Sequence, residues 1–312
     1  MEEFKYGISK WLPYKNREIS KKVAQIKKEE LVKHKNPDFN IRIIRDSEFT
    51  FRYVLDIFLR IKKASESRKK LVLILPQPNP EYAKVAELIN RFNVDCSKLW
   101  TFNMDEWADE DGVIAPDTWP NSFMNAMKNN FYYKINEDLR PPENQIIGPN
   151  EKNYKNYGDM IEEQGGADAC YGGIGWCGHL AFIEPGSEEF AGGFEEWKEM
   201  GTRLVTLNPF TIAQSSLDPD FGMSGNWGIV PPRAVTIGPR EILKSKLRCS
   251  WNGFSIANTQ VSWQRFIVRL AAHGEVTPLV PASILQISRS ELVISETVAA
   301  DISYSREFNW YA

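Results

Sequence analysis

Two short segments carry the side chains best suited to moving protons. The segment TFNMDEW places Asp105 and Glu106 directly after an apolar run, and the segment YGGIGWCGHLAFIEPG places His179 among glycines, with Glu184 five residues later. A carboxylate can act as a general base, an imidazole titrates near neutral pH, and a nearby carboxylate can orient that imidazole. The two segments therefore favour acid–base chemistry.

Each segment also has a purely structural interpretation. An Asp-Glu pair is common in loops and helix caps, and a histidine beside glycines can simply stabilise a tight turn. The chain has three histidines, and of these only His179 follows a glycine-rich strand end, which favours a functional role for it. His34 and His273 fall in helical contexts with no neighbouring Cys or His ligands, so we expect no zinc site.

A regular alternation of strands and helices positions both segments. Apolar runs predict strands at IRII, LVLIL, LWTFN and DACYGGIG, with later strands at RLVTL, AVTIG and CSWNGF. Helical spacing appears between them, for instance in EYAKVAELINRF and SWQRFIVRLAAHG. This order predicts an α/β fold of three layers, a mostly parallel, Rossmann-like sheet with helices on both faces. Ligands bind such sheets beyond the carboxyl ends of the strands, where both segments fall.

The first 38 residues precede this alternation. They hold a charged amphipathic stretch, REISKKVAQIKKEELVKH, and then a break at Asn36-Pro37. We therefore predict an N-terminal helical extension over residues 1–38 and a single α/β domain over residues 39–312.

Composition argues against several classes of partner. The chain has 38 basic and 41 acidic residues, a formal charge of −3, without the basic footprint of a nucleic-acid-binding protein. No apolar run is long enough for a transmembrane helix, and the N-terminus lacks the pattern of a signal peptide, so no membrane partner is expected. Four cysteines without a CxxC pair are typical of a reduced, cytoplasmic protein.

Taken in order, the segments resemble the glucosamine-6-phosphate deaminase (isomerase) family. TFNMDEW resembles the family's T-F-N-M-D-E-Y, and GGIGWCGHLAFIEP resembles its G-G-[IV]-G-x-D-G-H-[IL]-A-F-N-E-P. WPNSFMNAMKNNFY, AVTIG and PASILQ are similar to further family motifs, and the resemblance covers roughly residues 41–295. It implies a sugar isomerase/deaminase that converts an aldose 2-amine to a ketose and releases ammonia, with no metal or organic cofactor.

The resemblance also implies roles for individual residues. Asp105 matches the carboxylate that moves a proton between C1 and C2 of the open-chain sugar, His179 the residue that assists ring opening, and Glu184 a carboxylate that tunes this histidine. The implied contacts with a sugar or sugar phosphate are Gln77, Asn79, Glu106, Gly173, Gly175, Trp176, Cys177, Gly178, Gln264 and Arg265. Relatives are often oligomeric, so a homo-oligomer is expected.

The sequence departs from the family pattern in two respects. Cys177 stands where the family has an Asp, so the pKa of His179 should lie lower than in relatives unless a Cys177 thiolate replaces that charge. The family's phosphate loop L-P-T-G-G-T-P reads LPQPNP here, its T-R-x-A-N-S-R region reads TIAQSSL, and its phosphate-binding Lys falls at Gln264, beside Arg265. These changes imply a divergent member whose substrate is altered or unphosphorylated.

One alternative stays open and another is disfavoured. The same departures fit a non-catalytic sugar-binding or regulatory relative of this fold. A 6-phosphogluconolactonase is disfavoured, because its G-H motif continues A-S-L-F-P whereas this chain reads LAFIEP. In either case a lid is expected between about Phe190 and Trp227, with Trp176 and Trp227 lining the pocket and stacking on a sugar face.

Overall fold

A seven-stranded parallel sheet forms the centre of the molecule. The computed structural model describes residues 4–76, 79–256 and 259–303. Its strands are β1 (Phe39–Ile44), β2 (Leu71–Leu75), β3 (Leu99–Asn103), β4 (Asp105–Ala108), β5 (Ile146–Ile147), β6 (Ala169–Gly172), β7 (Arg203–Thr206), β8 (Arg233–Thr236), β9 (Arg248–Asn252) and β10 (Ser290–Ser295). The central sheet has the order β1-β10-β9-β6-β2-β3-β5, and every neighbouring pair in it is parallel.

The helices follow the strands as the sequence predicts. They are α1 (Arg17–Ala24), α2 (Lys28–Leu31), α3 (Asp46–Glu66), α4 (Tyr82–Arg91), α5 (Phe123–Asn130), α6 (Tyr157–Glu163), α7 (Phe194–Lys198), α8 (Pro209–Ser215), α9 (Pro239–Lys244), α10 (Gln264–His273) and α11 (Glu296–Ala299). The PASILQ segment forms a buried 3₁₀ helix, Pro281–Ile287. None of the helices in the described parts of the chain has both the length and the apolar character required to cross a bilayer.

Both faces of the central sheet are buried. Along β2, Val72 and Ile74 belong to one hydrophobic cluster, and Leu73 and Leu75 belong to another. Helices α3, α4 and α5 pack into the second cluster, while α6, α9 and α10 pack into the first. Since successive side chains of a strand point to opposite faces, this confirms the predicted three-layer, mostly parallel α/β fold.

A small antiparallel sheet stands beside the parallel one. The predicted strands RLVTL and AVTIG do not join the central sheet but pair with each other and with β4, in the order β4-β8-β7. Strand β3 ends at Asn103 and β4 begins at Asp105, and the Met104 amide donates to the Leu75 carbonyl at 2.8 Å. Asp105 thus lies where the chain leaves the carboxyl edge of the parallel sheet.

The N-terminal residues pack against the α/β core. Helix α1 contacts α10, and Val23 and Leu31 are buried in the first hydrophobic cluster. The guanidinium of Arg269 on α10 donates to the carbonyl of Ile26 at 3.1 Å, and a ring nitrogen of His273 lies 2.9 Å from the carbonyl of Leu31. Residues 17–31 therefore share one core with the α/β domain.

Candidate active site

Asp105 is a buried carboxylate at the carboxyl edge of the parallel sheet. It is 4% exposed, and its Oδ1 has no hydrogen-bond partner among the described residues. Two residues earlier, neither side-chain amide atom of Asn103 has a partner either. Burial raises the pKa of Asp105 well above its ordinary value, and the neighbouring Glu106 adds to this effect. Unpartnered buried polar atoms at a strand end are typical of a site that binds a ligand.

The glycine-rich loop after β6 holds the imidazole of His179. A Cβ at Gly175 would overlap the His179 ring, so only glycine allows the ring to lie against this backbone. Gly178 has a φ of +89°, a left-handed conformation that glycine adopts without strain. The Gly175 amide donates to the His179 carbonyl at 3.1 Å, which closes the turn. These two glycines position His179. Exposed Gly173 borders the same turn, where a Cβ would lie 3.2 Å from the Trp251 carbonyl oxygen.

Three side chains meet the Nδ1 atom of His179. Cys177 Sγ lies 3.1 Å from it, Thr211 Oγ1 lies 3.0 Å away, and Glu184 Oε2 lies 3.9 Å away. Cys177 Sγ is also 3.6 Å from Glu184 Oε2. Thr211 on α8 had no role in the sequence interpretation, because 32 residues separate it from His179.

Burial sets the charge state of this cluster. Burial lowers the pKa of His179 to about 4 and raises that of Glu184 to about 7. Burial also raises the pKa of Cys177 to about 12, and the proximity of Glu184 acts in the same direction. The thiol is therefore neutral at pH 7 and does not replace the charge of the missing carboxylate. His179 is a neutral imidazole.

Strand β8 connects Asp105 with the His179 loop. Asp105 pairs with Thr236 across the small sheet. The hydroxyl oxygen of Thr236 accepts the amide of Phe182 at 2.9 Å, and Phe182 follows His179 by three residues. The Phe182 ring also packs on Trp107, 5.2 Å between centroids. The two predicted catalytic segments are thus joined through β4 and β8.

Glu106 has a structural role that corrects its prediction as a sugar contact. One of its carboxylate oxygens accepts the amides of Trp107 and Phe123, and the other accepts the Ser122 hydroxyl and the Met124 amide, at 2.8–3.0 Å. It therefore anchors the first turn of α5. With four donors on a carboxylate that is 1% exposed, Glu106 has no free oxygen for a sugar.

The predicted contacts at the start of α10 are also corrected. The side chain of Gln264 is buried, and it donates to the Ile174 carbonyl at 3.1 Å and accepts the Phe254 amide at 2.9 Å. Arg265 donates to the carbonyls of Gln260, Ala300 and Asp301. The side chain of Gln264 and the two terminal nitrogens of Arg265 thus bind neighbouring backbone, and Nε of Arg265 has no partner among the described residues.

The segment after β2 is described only in part. Gln77 lies outside the described residues. The side-chain oxygen of Asn79 accepts the Glu81 amide at 2.9 Å and so stabilises the turn that leads into α4.

A cavity of about 860 Å³ borders the cluster on the side of Cys177. Trp176 lines this cavity and stacks on Trp263, with 5.3 Å between ring centroids. Trp227 is 72% exposed and does not line the cavity, so the predicted pairing of Trp176 with Trp227 is not found. Tyr6 and Tyr14 of the N-terminal segment line the cavity instead.

Among proteins of known sequence, similarity extends over 64–80% of the chain in three relatives. No protein-family model matches the chain. It is 35% identical over 207 residues to glucosamine-6-phosphate deaminase of Caenorhabditis elegans, covering 64% of this chain and 69% of that one. It is 32% identical over 229 residues to the Clostridium botulinum (strain Loch Maree / Type A3) glucosamine-6-phosphate deaminase, covering 70% and 80%. With glucosamine-6-phosphate deaminase 2 of Bacillus subtilis (strain 168), the identity is 30% over 256 residues and the coverage 80% and 92%.

Solved structures share the fold. A monomeric glucosamine-6-phosphate deaminase of the NagB superfamily matches with a TM-score of 0.66 and 22% identity, covering 83% of this chain and 98% of that one. The 6-phosphogluconolactonase from Trypanosoma cruzi matches with a TM-score of 0.56 and 13% identity, covering 87% and 100%. At these identities the structural likeness establishes the fold alone.

Proposed function

Because the chain belongs to the glucosamine-6-phosphate deaminase family, we propose that it is an isomerase/deaminase of an amino sugar, with Asp105 and His179 as its proton-transfer groups. The observation that carries the proposal is the buried Asp105 carboxylate with an unpartnered Oδ1 at the carboxyl edge of the sheet. The neutral His179 imidazole, joined to it through β8, supplies the second group.

The chemistry follows from these two groups. His179 accepts the proton of the anomeric hydroxyl and passes it to the ring oxygen as the bond from C1 to that oxygen breaks, so the pyranose opens. The Asp105 carboxylate then takes the proton from C2 and returns a proton to C1, through an enol-type intermediate. Water adds to C2 and ammonia leaves, which yields the ketose. A buried carboxylate with a raised pKa is a stronger base than one in water, as removal of a carbon-bound proton requires.

The substrate is an amino sugar whose C6 end is bound by groups other than those that bind a 6-phosphate in the family. Gln264 and Arg265 bind neighbouring backbone. The TIAQSSL segment on α8 supplies Thr211 to His179 and Gln214 to the amide of Trp176, at 3.0 and 2.7 Å. These contacts support an unphosphorylated or otherwise altered substrate.

A paired assay tests the proposal. Ammonia release and ketose formation are measured with free and 6-phosphorylated glucosamine and galactosamine. We expect turnover with at least one sugar, a loss of about 100-fold or more in kcat for His179→Ala, and no loss for the control His34→Ala, whose ring contacts Phe39. The absence of ammonia release and ketose formation with all four sugars would contradict catalysis and favour a non-catalytic sugar-binding relative.

A further inference from the structure

Three potential metal ligands converge beside the cavity. Cys177 Sγ, His179 Nδ1 and Glu184 Oε2 lie within 4.8 Å of one another, at pairwise distances of 3.1, 3.6 and 3.9 Å. In a tetrahedral zinc site with ordinary bond lengths, thiolate, imidazole and carboxylate atoms lie about 3.3–3.6 Å apart. The three atoms therefore need to move by only a few tenths of an ångström to surround one ion.

We propose that Cys177, His179 and Glu184 form a binding site for a thiophilic divalent cation such as Zn²⁺. The set combines a sulfur, a nitrogen and an oxygen ligand, a combination that suits zinc better than magnesium or calcium. The sequence did not predict this site, because the argument against a zinc site considered only His34 and His273, which lie in helical contexts.

The electrostatic environment favours a cation at this point. Glu184 is 2% exposed, and within the described part of the chain its one potentially cationic partner within 4.0 Å is His179. A buried carboxylate without a cation is costly, and a divalent ion would neutralise Glu184 together with a Cys177 thiolate.

The surrounding contacts orient the ligands and leave a route to solvent. The Asn208 amide donates to Glu184 Oε1 at 3.3 Å, so Oε2 faces the cluster. Hydrogen bonds of this kind fix metal ligands in other proteins. Cys177 lines the large cavity, which gives the ion access and leaves room for a water as the fourth ligand. On binding, the ion replaces the Thr211 contact at Nδ1, and the Cys177 proton passes to solvent.

The test uses the full chain without any sugar, so its outcome does not depend on the proposed reaction. Chelator-treated protein is titrated with Zn²⁺ against a competing chromophoric chelator, and Co²⁺ is used to detect a thiolate charge-transfer band. We expect one equivalent bound, a band with Co²⁺, and weaker binding as the pH falls, because protons compete for the ligands. Cys177→Ser should abolish the band and weaken binding at least tenfold, whereas Cys96→Ser should leave both unchanged.

A second variant covers the case in which Cys177→Ser does not fold. Glu184→Gln keeps the thiolate, so it should retain the band while its Zn²⁺ affinity falls. Absence of stoichiometric binding at micromolar Zn²⁺, or a band that persists in Cys177→Ser, would overturn the proposal. The same titration of Asp105→Asn should match the wild-type protein, which separates ion binding from catalysis.

Discussion

At the scale of single residues, the candidate site combines a buried carboxylate, Asp105, with a buried, neutral imidazole, His179. Asp105 and His179 could be found in the sequence because each follows a predicted strand at the edge where parallel sheets bind ligands. Thr211 could not be found, since it reaches His179 only through the folding of α8. The resemblance predicts Glu106 and Gln264 as sugar contacts because of their positions in the motifs. A motif position, however, does not specify the direction in which a side chain points.

The first prediction concerns the buried charge of Asp105. Burial raises its pKa, so at pH values between the ordinary and the raised pKa the folded protein holds a proton that the unfolded chain releases. The resulting stability is present below the ordinary pKa of Asp and is lost as pH rises through the raised value. Asp105→Asn should therefore be more stable than the wild type, by about 1–2 kcal/mol at pH 8 and by less at pH 5, as measured by urea unfolding.

Glu189 offers a control of opposite sign. Partial burial opposes its ionisation, but backbone hydrogen bonds, including the Thr206 amide at 2.8 Å, outweigh burial and lower its pKa. Its stabilising effect is present above the ordinary pKa of Glu and lost at lower pH. Glu189→Gln should therefore be less stable than the wild type at pH 8. A stability advantage of Asp105→Asn over the wild type that shrinks as pH rises would contradict the assignment of a costly buried charge.

At the scale of elements, the sequence predicted the strands and helices well and their partners less well. Runs such as LVLIL and LWTFN coincide with β2 and β3. The separation of β4, β7 and β8 into a second sheet was not predicted, because local hydrophobic pattern does not specify which strands pair. This small sheet matters for the site, since its β4–β8 pair joins Asp105 to the His179 loop.

The second prediction concerns the anchor between β4 and α5. Glu106→Gln replaces one acceptor oxygen by an amide group that faces donors, so the N-terminal turn of α5 loses hydrogen bonds. We expect a loss of about 2–3 kcal/mol in the free energy of unfolding. The exposed Glu110 gives a matched control, and Glu110→Gln should cost less than about 0.5 kcal/mol. If Glu106→Gln instead has the stability of the wild type and a raised KM, Glu106 contacts the sugar.

At the scale of the whole molecule, the N-terminal residues complete one wall of the large cavity. Tyr14 donates to Glu275 at 3.1 Å and Asn16 donates to the same carboxylate at 3.3 Å. Arg17 donates to the Tyr6 carbonyl at 2.7 Å and so holds the preceding segment in place. The sequence predicted a helical extension here, but a charged amphipathic pattern does not reveal which surface the helix covers.

The third prediction concerns this wall. A variant that lacks residues 1–15 keeps Val23 and Leu31 in the core, so it should fold, with a melting temperature lower by about 2–5 °C. It should also bind an apolar dye such as anilinonaphthalene sulfonate more strongly, because Trp176, Trp263 and Phe266 lose their cover. Tyr14→Phe removes only one hydrogen bond and should not increase dye binding. Unchanged dye binding in the truncated protein would show that these residues do not cover the cavity.

The central claim, that Asp105 moves the proton between C1 and C2, is tested most directly by hydrogen exchange. The ketose product and ammonium are incubated with the protein in D₂O, and loss of a C1 proton is followed by NMR. We predict exchange at one C1 position with the wild type and with the control Asp109→Asn. With Asp105→Asn the exchange rate should fall by at least about 100-fold. Exchange by Asp105→Asn at the wild-type rate would contradict the account.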